Sequence, residues 1–274
     1  MKHFCKERKE AASIHEPVMP QIHRAAWDGY SAKAAAYAAG RPGYPPEVMK
    51  WLRGALGLME GASVLDLGAG TGKLLPYLRA TGARLFAAEP VPAMLEELKA
   101  GSPDVVALEA AAEDLPLESG TLDAVVCAQS FHWFANERAL AEIRRVLKPG
   151  GALGLIWNLR CESVPWVAEL ARIMAPYEGN TPRHHRGEWR RLFPAPGFGP
   201  LREERFPHSH AGPPERVIVD RALSVSFIAA LPPQEQAKVA AQVRKLIAGT
   251  PALAGKEEVS FPYETRAYSC ITSG

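Results

Sequence analysis

The residues best suited to chemistry lie where the apolar run Ser63-Val64-Leu65-Asp66-Leu67 enters Gly68-Ala69-Gly70-Thr71-Gly72. Alternating glycines let a ligand come close to the backbone, and a helix starting after them offers it free N–H groups. Glu89 closes the next apolar run, Arg84 to Ala88. An acidic side chain at that place accepts both hydroxyl hydrogens of a ribose. Loop and carboxylate together predict a nucleoside cofactor and leave its identity open. Dinucleotide sites prefer GxGxxG, whose third glycine falls inside the helix. This chain has GxGxG, followed by Lys73 and Leu74.

Three further groups merit attention. His132 stands between Phe131 and the pair Trp133-Phe134, just after the apolar run Leu122 to Ala128. It reads either as a general base for an acceptor proton or as an imidazole packed into an aromatic wall. Arg41 sits in Arg41-Pro42-Gly43-Tyr44-Pro45-Pro46, where it is either a turn residue or a two-pronged grip on a carboxylate. The basic patch of Arg183, His184, His185, Arg186, Arg190 and Arg191 reads as a solvated face in preference to an anion site.

These residues need a scaffold, and the hydrophobic pattern supplies one. Short apolar strands are expected at Ser63–Leu67, Arg84–Ala88, Asp104–Leu108, Leu122–Ala128 and Ala152–Trp157. Helices are expected between them, at Lys73–Ala80, Pro92–Ala100 and Asn136–Leu147, with Asn136 as N-cap. Lys148-Pro149-Gly150-Gly151 reads as the turn into the fifth strand. Strands alternating with helices of this length imply right-handed βαβ units and a parallel sheet. The reading is an α/β, Rossmann-like, doubly wound and mostly parallel seven-stranded sheet, with an N-terminal helical lid and an insertion after strand 5. The expected divisions are a poorly ordered tail over 1–24, the lid over 25–60, a cofactor-binding core over 61–158, and the insertion plus C-terminal part over 159–274. Within these, Trp27–Ala39 and Glu47–Leu58 read as helices. Arg202–Phe206 and Glu258–Tyr268 read as late strands, and Glu215–Ala230 and Pro233–Ala248 as late helices.

Composition narrows the function classes. The chain has 274 residues, 47% hydrophobic and 23% charged, which suits an ordinary globular protein. Lys plus Arg number 32 against 30 Asp plus Glu. That near balance gives no bulk attraction to nucleic acid or anionic lipid. The four cysteines, Cys5, Cys127, Cys161 and Cys270, lack CxxC or Cys/His ligand spacing, arguing against a disulfide framework and a zinc site. No secretory signal is visible at the start, so a cytoplasmic location is expected. The expected partner is a small-molecule substrate, with no nucleic acid and no membrane, acting on a monomer or homodimer.

Val64-Leu65-Asp66-Leu67-Gly68-Ala69-Gly70-Thr71-Gly72 resembles the first motif of the class I S-adenosylmethionine-dependent methyltransferases. Further matches follow in order: Ala88-Glu89-Pro90, Ala112-Glu113-Asp114-Leu115-Pro116, Asp123-Ala124-Val125-Val126, and Arg145 through Gly151. Tyr37, Arg41-Pro42, Tyr44-Pro45 and Gln129-Ser130-Phe131-His132-Trp133-Phe134 resemble a small-molecule branch that includes trans-aconitate methyltransferase-like proteins.

The resemblance implies S-adenosylmethionine as cofactor and no metal. It implies Gly68, Ala69 and Gly70 against the methionine part, Asp66 anchoring their loop, and Glu89 on the ribose hydroxyls. Ala112 and Glu113 would lie along the adenine with Pro90 over its face. Ala111 stands where many relatives have an Asp for the adenine amino group. Tyr37 and Arg41 would belong to a lid over the cofactor or acceptor, and Gln129 would line the methyl-transfer site as a hydrogen-bond donor. The function expected is methyl transfer to a small acceptor, with a carboxylate among the candidates. The alternatives are a non-catalytic protein that binds this cofactor and a nicotinamide-dependent oxidoreductase.

Overall fold

The computed structural model describes residues 41–273. The expected tail over 1–24, the helix expected at Trp27–Ala39 and the candidate site residue Tyr37 lie outside the described residues.

Among the described residues seven strands form one sheet in the order β3-β2-β1-β4-β5-β7-β6. They are β1 (Ser63–Leu67), β2 (Arg84–Ala88), β3 (Val106–Leu108), β4 (Leu122–Ala128), β5 (Leu147–Arg160), β6 (Arg202–Gly212) and β7 (Val259–Ile271). The first five are parallel, while β7 runs antiparallel to both β5 and β6. The order reverses direction between β1 and β4, and such a switch point opens a crevice at the C-terminal ends of the strands. Gly68 and Gln129 stand at the ends of those two strands.

Both faces of the sheet are covered, as its wholly buried central strands require. The helices α1 (Val48–Gly54) and α2 (Leu75–Arg79), together with Leu98 of α3 (Pro92–Gly101), pack on one face against Val64, Val126 and Ile156. On the other face α4 (Glu137–Val146) sets Leu140, Ile143 and Val146 against Leu65, Val125 and Leu153. The Asn136 side chain accepts from Ala139 N at 2.9 Å, confirming it as the N-cap of α4.

A third core lies beyond the C-terminal end of β5. Pairing of β5 with β7 stops at Arg160–Tyr263, while β7 continues back to Val259 paired with β6 alone. Phe261 and Tyr263 there join α5 (Pro165–Met174), a π-wound segment Glu215–Asp220, α6 (Ser226–Ala229) and α7 (Pro233–Gly249). The segment after β5 is therefore divided between cores: α5 builds the cap, and Trp189 reaches back into the core under α4.

Several boundaries differ from the sequence reading. The helix expected from Lys73 begins at Leu75, because Gly72 adopts φ +81° and delays helical winding. The expected turn at Lys148–Gly151 is absorbed into β5, which starts at Leu147, with a register shift between Leu122 and Ala124 of its partner strand. β6 runs past Pro207 to Gly212. As an edge strand it loses no ladder bond to the missing N–H. The single helix expected over Glu215–Ala230 is broken at Val225, whose backbone is extended. No helix of the described residues is long and apolar enough to cross a membrane.

Candidate active site

The glycine loop folds as its composition demands. Gly68 and Gly70 both lie in the left-handed region, at φ +67° and +58°. At Gly68 a Cβ would also fall 2.7 Å from the Cβ of Ser130, so no other residue fits there without displacement. The backbone N–H groups of Gly68 and Ala69 both donate to the Ala88 carbonyl, at 2.8 and 3.1 Å. The loop is thereby tied to the end of β2, where Glu89 begins.

Glu89 fastens the loop from the other side. Its Oε2 accepts from Gly70 N at 2.8 Å and its Oε1 from Val91 N at 3.0 Å. It is only 5% exposed yet lines a cavity together with Gly68, Ala69, Gly70 and Pro90. Burial pushes its pKa up to about 7, against the opposing effect of the two N–H groups. Each carboxylate oxygen retains accepting capacity for a ligand hydroxyl. Thr71 Oγ1, also in the lining, is buried without a hydrogen-bond partner among the described residues. A glycine-floored cavity with a buried, outward-accepting carboxylate fits a ribose-bearing cofactor.

Asp66 does not anchor the loop by a hydrogen bond. Both its carboxylate oxygens are buried without partners among the described residues, and the side chain is absent from the cavity lining. Burial, reinforced by the neighbouring Glu89 charge, raises its pKa to about 8. At neutral pH the group is therefore mostly a neutral acid under the loop.

Ala112 and Glu113 are not brought to the cavity either. Ala112 is buried in the core beneath α4, and Glu113 accepts from the Asn136 side chain at 2.8 Å. Instead Val91, Met94, Trp133 and Phe134 supply apolar wall.

Gln129 occupies the junction of two spaces. It lines the cofactor cavity and also a second chamber of about 950 Å³ beyond it, a size suited to a small molecule. Its φ of +62° is the one left-handed conformation among the described non-glycine residues. Strain of this kind persists where the surroundings enforce it, commonly at functional sites. Its N–H donates to Ile156 O at 2.8 Å, locking the end of β4 to β5. Arg41, Asn158 and Arg221 line both spaces as well. Arg41 Nη2 donates to Ser224 O, and Asn158 bridges Gly43 O and the Thr265 hydroxyl.

His132 lines the second chamber only. The indole N–H of Trp157 donates to its Nδ1 at 3.1 Å. Since indole can only donate, Nδ1 must be the accepting nitrogen and the ring proton of the neutral form sits on Nε2. Burial, with Arg183 and His184 adding repulsion, holds its pKa well below the ordinary histidine value. A neutral imidazole whose single lone pair is already engaged is a hydrogen-bond donor toward the chamber, which works against its role as a base.

Sequence reasoning missed Lys73 and Met94 of the cofactor cavity, Arg160 of the second chamber, and Asn158 and Arg221, which line both. Asn158 could have been found, since it lies near the C-terminal end of a parallel strand. Arg221 carried no local signal, because the cap brings it in from far along the chain.

Comparison with known proteins decides the family. The sequence matches the family described as Methyltransferase domain over residues 65–155. It is 38% identical over 241 residues to an uncharacterised methyltransferase-like protein of Schizosaccharomyces pombe, covering 88% of this chain and 94% of that one. The chain is a class I methyltransferase. An uncharacterised methyltransferase of Mycobacterium tuberculosis is 39% identical over 236 residues, covering 86% of this chain and 92% of that one.

Solved structures share the fold. The YcgJ protein of Bacillus subtilis superposes with a TM-score of 0.53 at 17% identity, over 82% of this chain and 98% of that one. A Haemonchus contortus N-methyltransferase in complex with phosphomonomethylethanolamine and S-adenosylhomocysteine gives 0.56 at 14% identity, over 93% and 62%. Family membership makes S-adenosylmethionine the cofactor of this methyltransferase, and the nicotinamide alternative falls with it.

Proposed function

We propose that this methyltransferase acts on a small-molecule acceptor held in the chamber beyond Gln129. The observation that carries this reading is the junction itself, where Arg41, Gln129, Asn158 and Arg221 line both the glycine-floored cavity and the second space. S-adenosylmethionine, when bound, supplies a methyl group on a positively charged sulfur, an excellent leaving group.

In the cofactor cavity, Glu89 would accept from the ribose hydroxyls while Gly68, Ala69 and Gly70 would let the backbone approach the methionine part. Pro90, Met94 and Phe134 cover apolar surface. Gln129 and Asn158 orient the acceptor at the junction. Held there, the acceptor would meet the methyl group at the junction lined by Gln129 and Asn158. A carboxylate acceptor has no proton to lose, so positioning and exclusion of water suffice. That suits His132, whose Nδ1 is occupied and whose Nε2–H donates.

Thermal denaturation and product detection test this function. S-adenosylhomocysteine should raise the midpoint, since a ligand that binds only the native state stabilises it, and NAD(H) should not. A screen of small acids, phenols and amines should release S-adenosylhomocysteine. Methylation confined to a macromolecule would overturn the proposed acceptor class.

A further inference from the structure

The chamber beyond Gln129 is unusually cationic for a chain with balanced charge. Three of its arginines are matched by carboxylates: Arg172 by Glu169, Arg190 by Glu203 and Arg266 by Glu264. Two inner ones, Arg221 and Arg160, make no hydrogen bond to a carboxylate among the described residues. Arg221 is only 7% exposed. Its Nε donates to the Tyr263 hydroxyl at 3.1 Å, and its Nη1 is buried without a partner among the described residues. Arg160, at the end of β5, has a side chain 15% exposed; its nearest carboxylate, the largely exposed Glu162, is 3.9 Å away. Among the described residues its Nη1 meets only the weak acceptor Met174 Sδ, at 3.7 Å.

Both arginines line the chamber, and Tyr263 pairs in register with Arg160 while its hydroxyl holds Arg221. The two guanidiniums and Arg41 lie close enough to repel one another, and burial brings Arg221 down to about 10, so it remains charged at neutral pH. A buried guanidinium with an unmade hydrogen bond is costly unless something negative completes it. Trp157, Tyr268 and Phe227 give the same chamber an apolar wall.

We propose that the chamber takes an acceptor bearing a carboxylate or phosphate oxyanion, and that Arg160 and Arg221 clamp that group. This rests on the methyltransferase reading of the adjoining cavity and names the acceptor class for it. Guanidinium geometry matches either oxyanion in two-pronged fashion. Arg221 also borders the cofactor cavity, whereas Arg160 borders the chamber alone, so Arg160 is the sharper probe.

The test uses the full chain saturated with S-adenosylhomocysteine. Alkyl and aryl carboxylic acids form one arm, and alkyl and aryl phosphate monoesters the other, each beside its neutral amide or alcohol. Calorimetry reads binding, and S-adenosylhomocysteine release from S-adenosylmethionine reads turnover. At least one anion should bind about tenfold or more tightly than its neutral counterpart, as loss of a charged hydrogen bond implies. The arm that contains it names the oxyanion. Arg160→Gln should weaken that anion about tenfold or more while S-adenosylhomocysteine affinity stays within about twofold, and Arg160→Lys should recover part of the loss.

Neutral compounds binding as well as anions would overturn the proposal. So would an unchanged anion affinity in Arg160→Gln, or no binding by any member of either arm. Arg221→Gln weakening S-adenosylhomocysteine but not the anion would remove Arg221 from the clamp and give it to the cofactor. Failure of the wild-type chain to bind S-adenosylhomocysteine at all would instead strike the underlying methyltransferase reading.

Discussion

If Glu89 meets the cofactor's ribose as proposed, cofactor affinity should depend on pH in a direction set by its raised pKa. Its carboxylate is buried, accepts from Gly70 and Val91, and has a pKa pushed up to about 7. Ribose hydroxyls donate, so they favour the ionised form over the protonated acid, which presents a competing O–H. With a pKa of about 7, the ionised fraction is about one-tenth at pH 6 and about nine-tenths at pH 8. If the ionised form alone binds, apparent affinity follows that fraction and tightens about tenfold over this interval. Glu89→Gln cannot ionise and loses the charged acceptor. It should bind S-adenosylhomocysteine about 10- to 150-fold more weakly at about pH 8, from about 1.5–3 kcal/mol for hydrogen bonds to a charged group. Calorimetric titration of both proteins at several pH values is the assay. The ratio of wild-type to variant affinity cancels titration of the ligand's own amine and of other residues. A ratio that stays constant from about pH 6 to pH 8 would refute the argument, as would a variant that binds normally.

Asp66 offers a stability test with the sign fixed by its raised pKa. The unfolded carboxyl ionises near 3.8 and the native one near 8, so ionisation is penalised in the native state and its stability falls as pH rises between those values. Asp66→Asn should therefore gain on wild type by about 1.4 kcal/mol per pH unit, roughly 4 kcal/mol from pH 5 to pH 8 in denaturant titrations; parallel curves would show the native carboxyl to be ionised. For His132→Gln, the pH profile of kcat/KM should keep its wild-type shape between about pH 6 and 8, because the imidazole stays neutral there; loss of an ascending limb would restore the base role. Gln129→Gly should raise stability by about 1–2 kcal/mol through relief of the left-handed backbone, while slowing turnover. A lower melting temperature would mean that the side chain contributes more than the strain costs.

Much of this protein was legible from local pattern. The boundaries of β1, β2 and β4 follow from short apolar runs, the Asn136 cap from residue type, and the place of the glycine loop from residues that adopt positive φ without steric cost. Glu89's place beside the loop was readable because it follows directly on β2 and the next strand end must adjoin the loop. Each of these depends on contacts within a few residues or on the regular alternation of strand and helix.

What local pattern could not decide involves partners distant along the chain. Asp66 and Glu89 are both carboxylates near one loop, yet only Glu89 reaches backbone donors and the cavity, while Asp66 is sealed beneath. His132 reads equally as base or wall until Trp157 is seen donating to its Nδ1. The same holds for Glu113, which turns to Asn136 and away from the cavity. The cap is the clearest case. An arginine in a late helical segment and another at a strand end are ordinary surface candidates in sequence. Extension of β7 past the end of β5 folds the third core over them, excludes water from Arg221 and sets both beside Tyr263. Burial and the removal of water are properties of the assembled fold, and they turned two unremarkable cations into the inner wall of the second chamber.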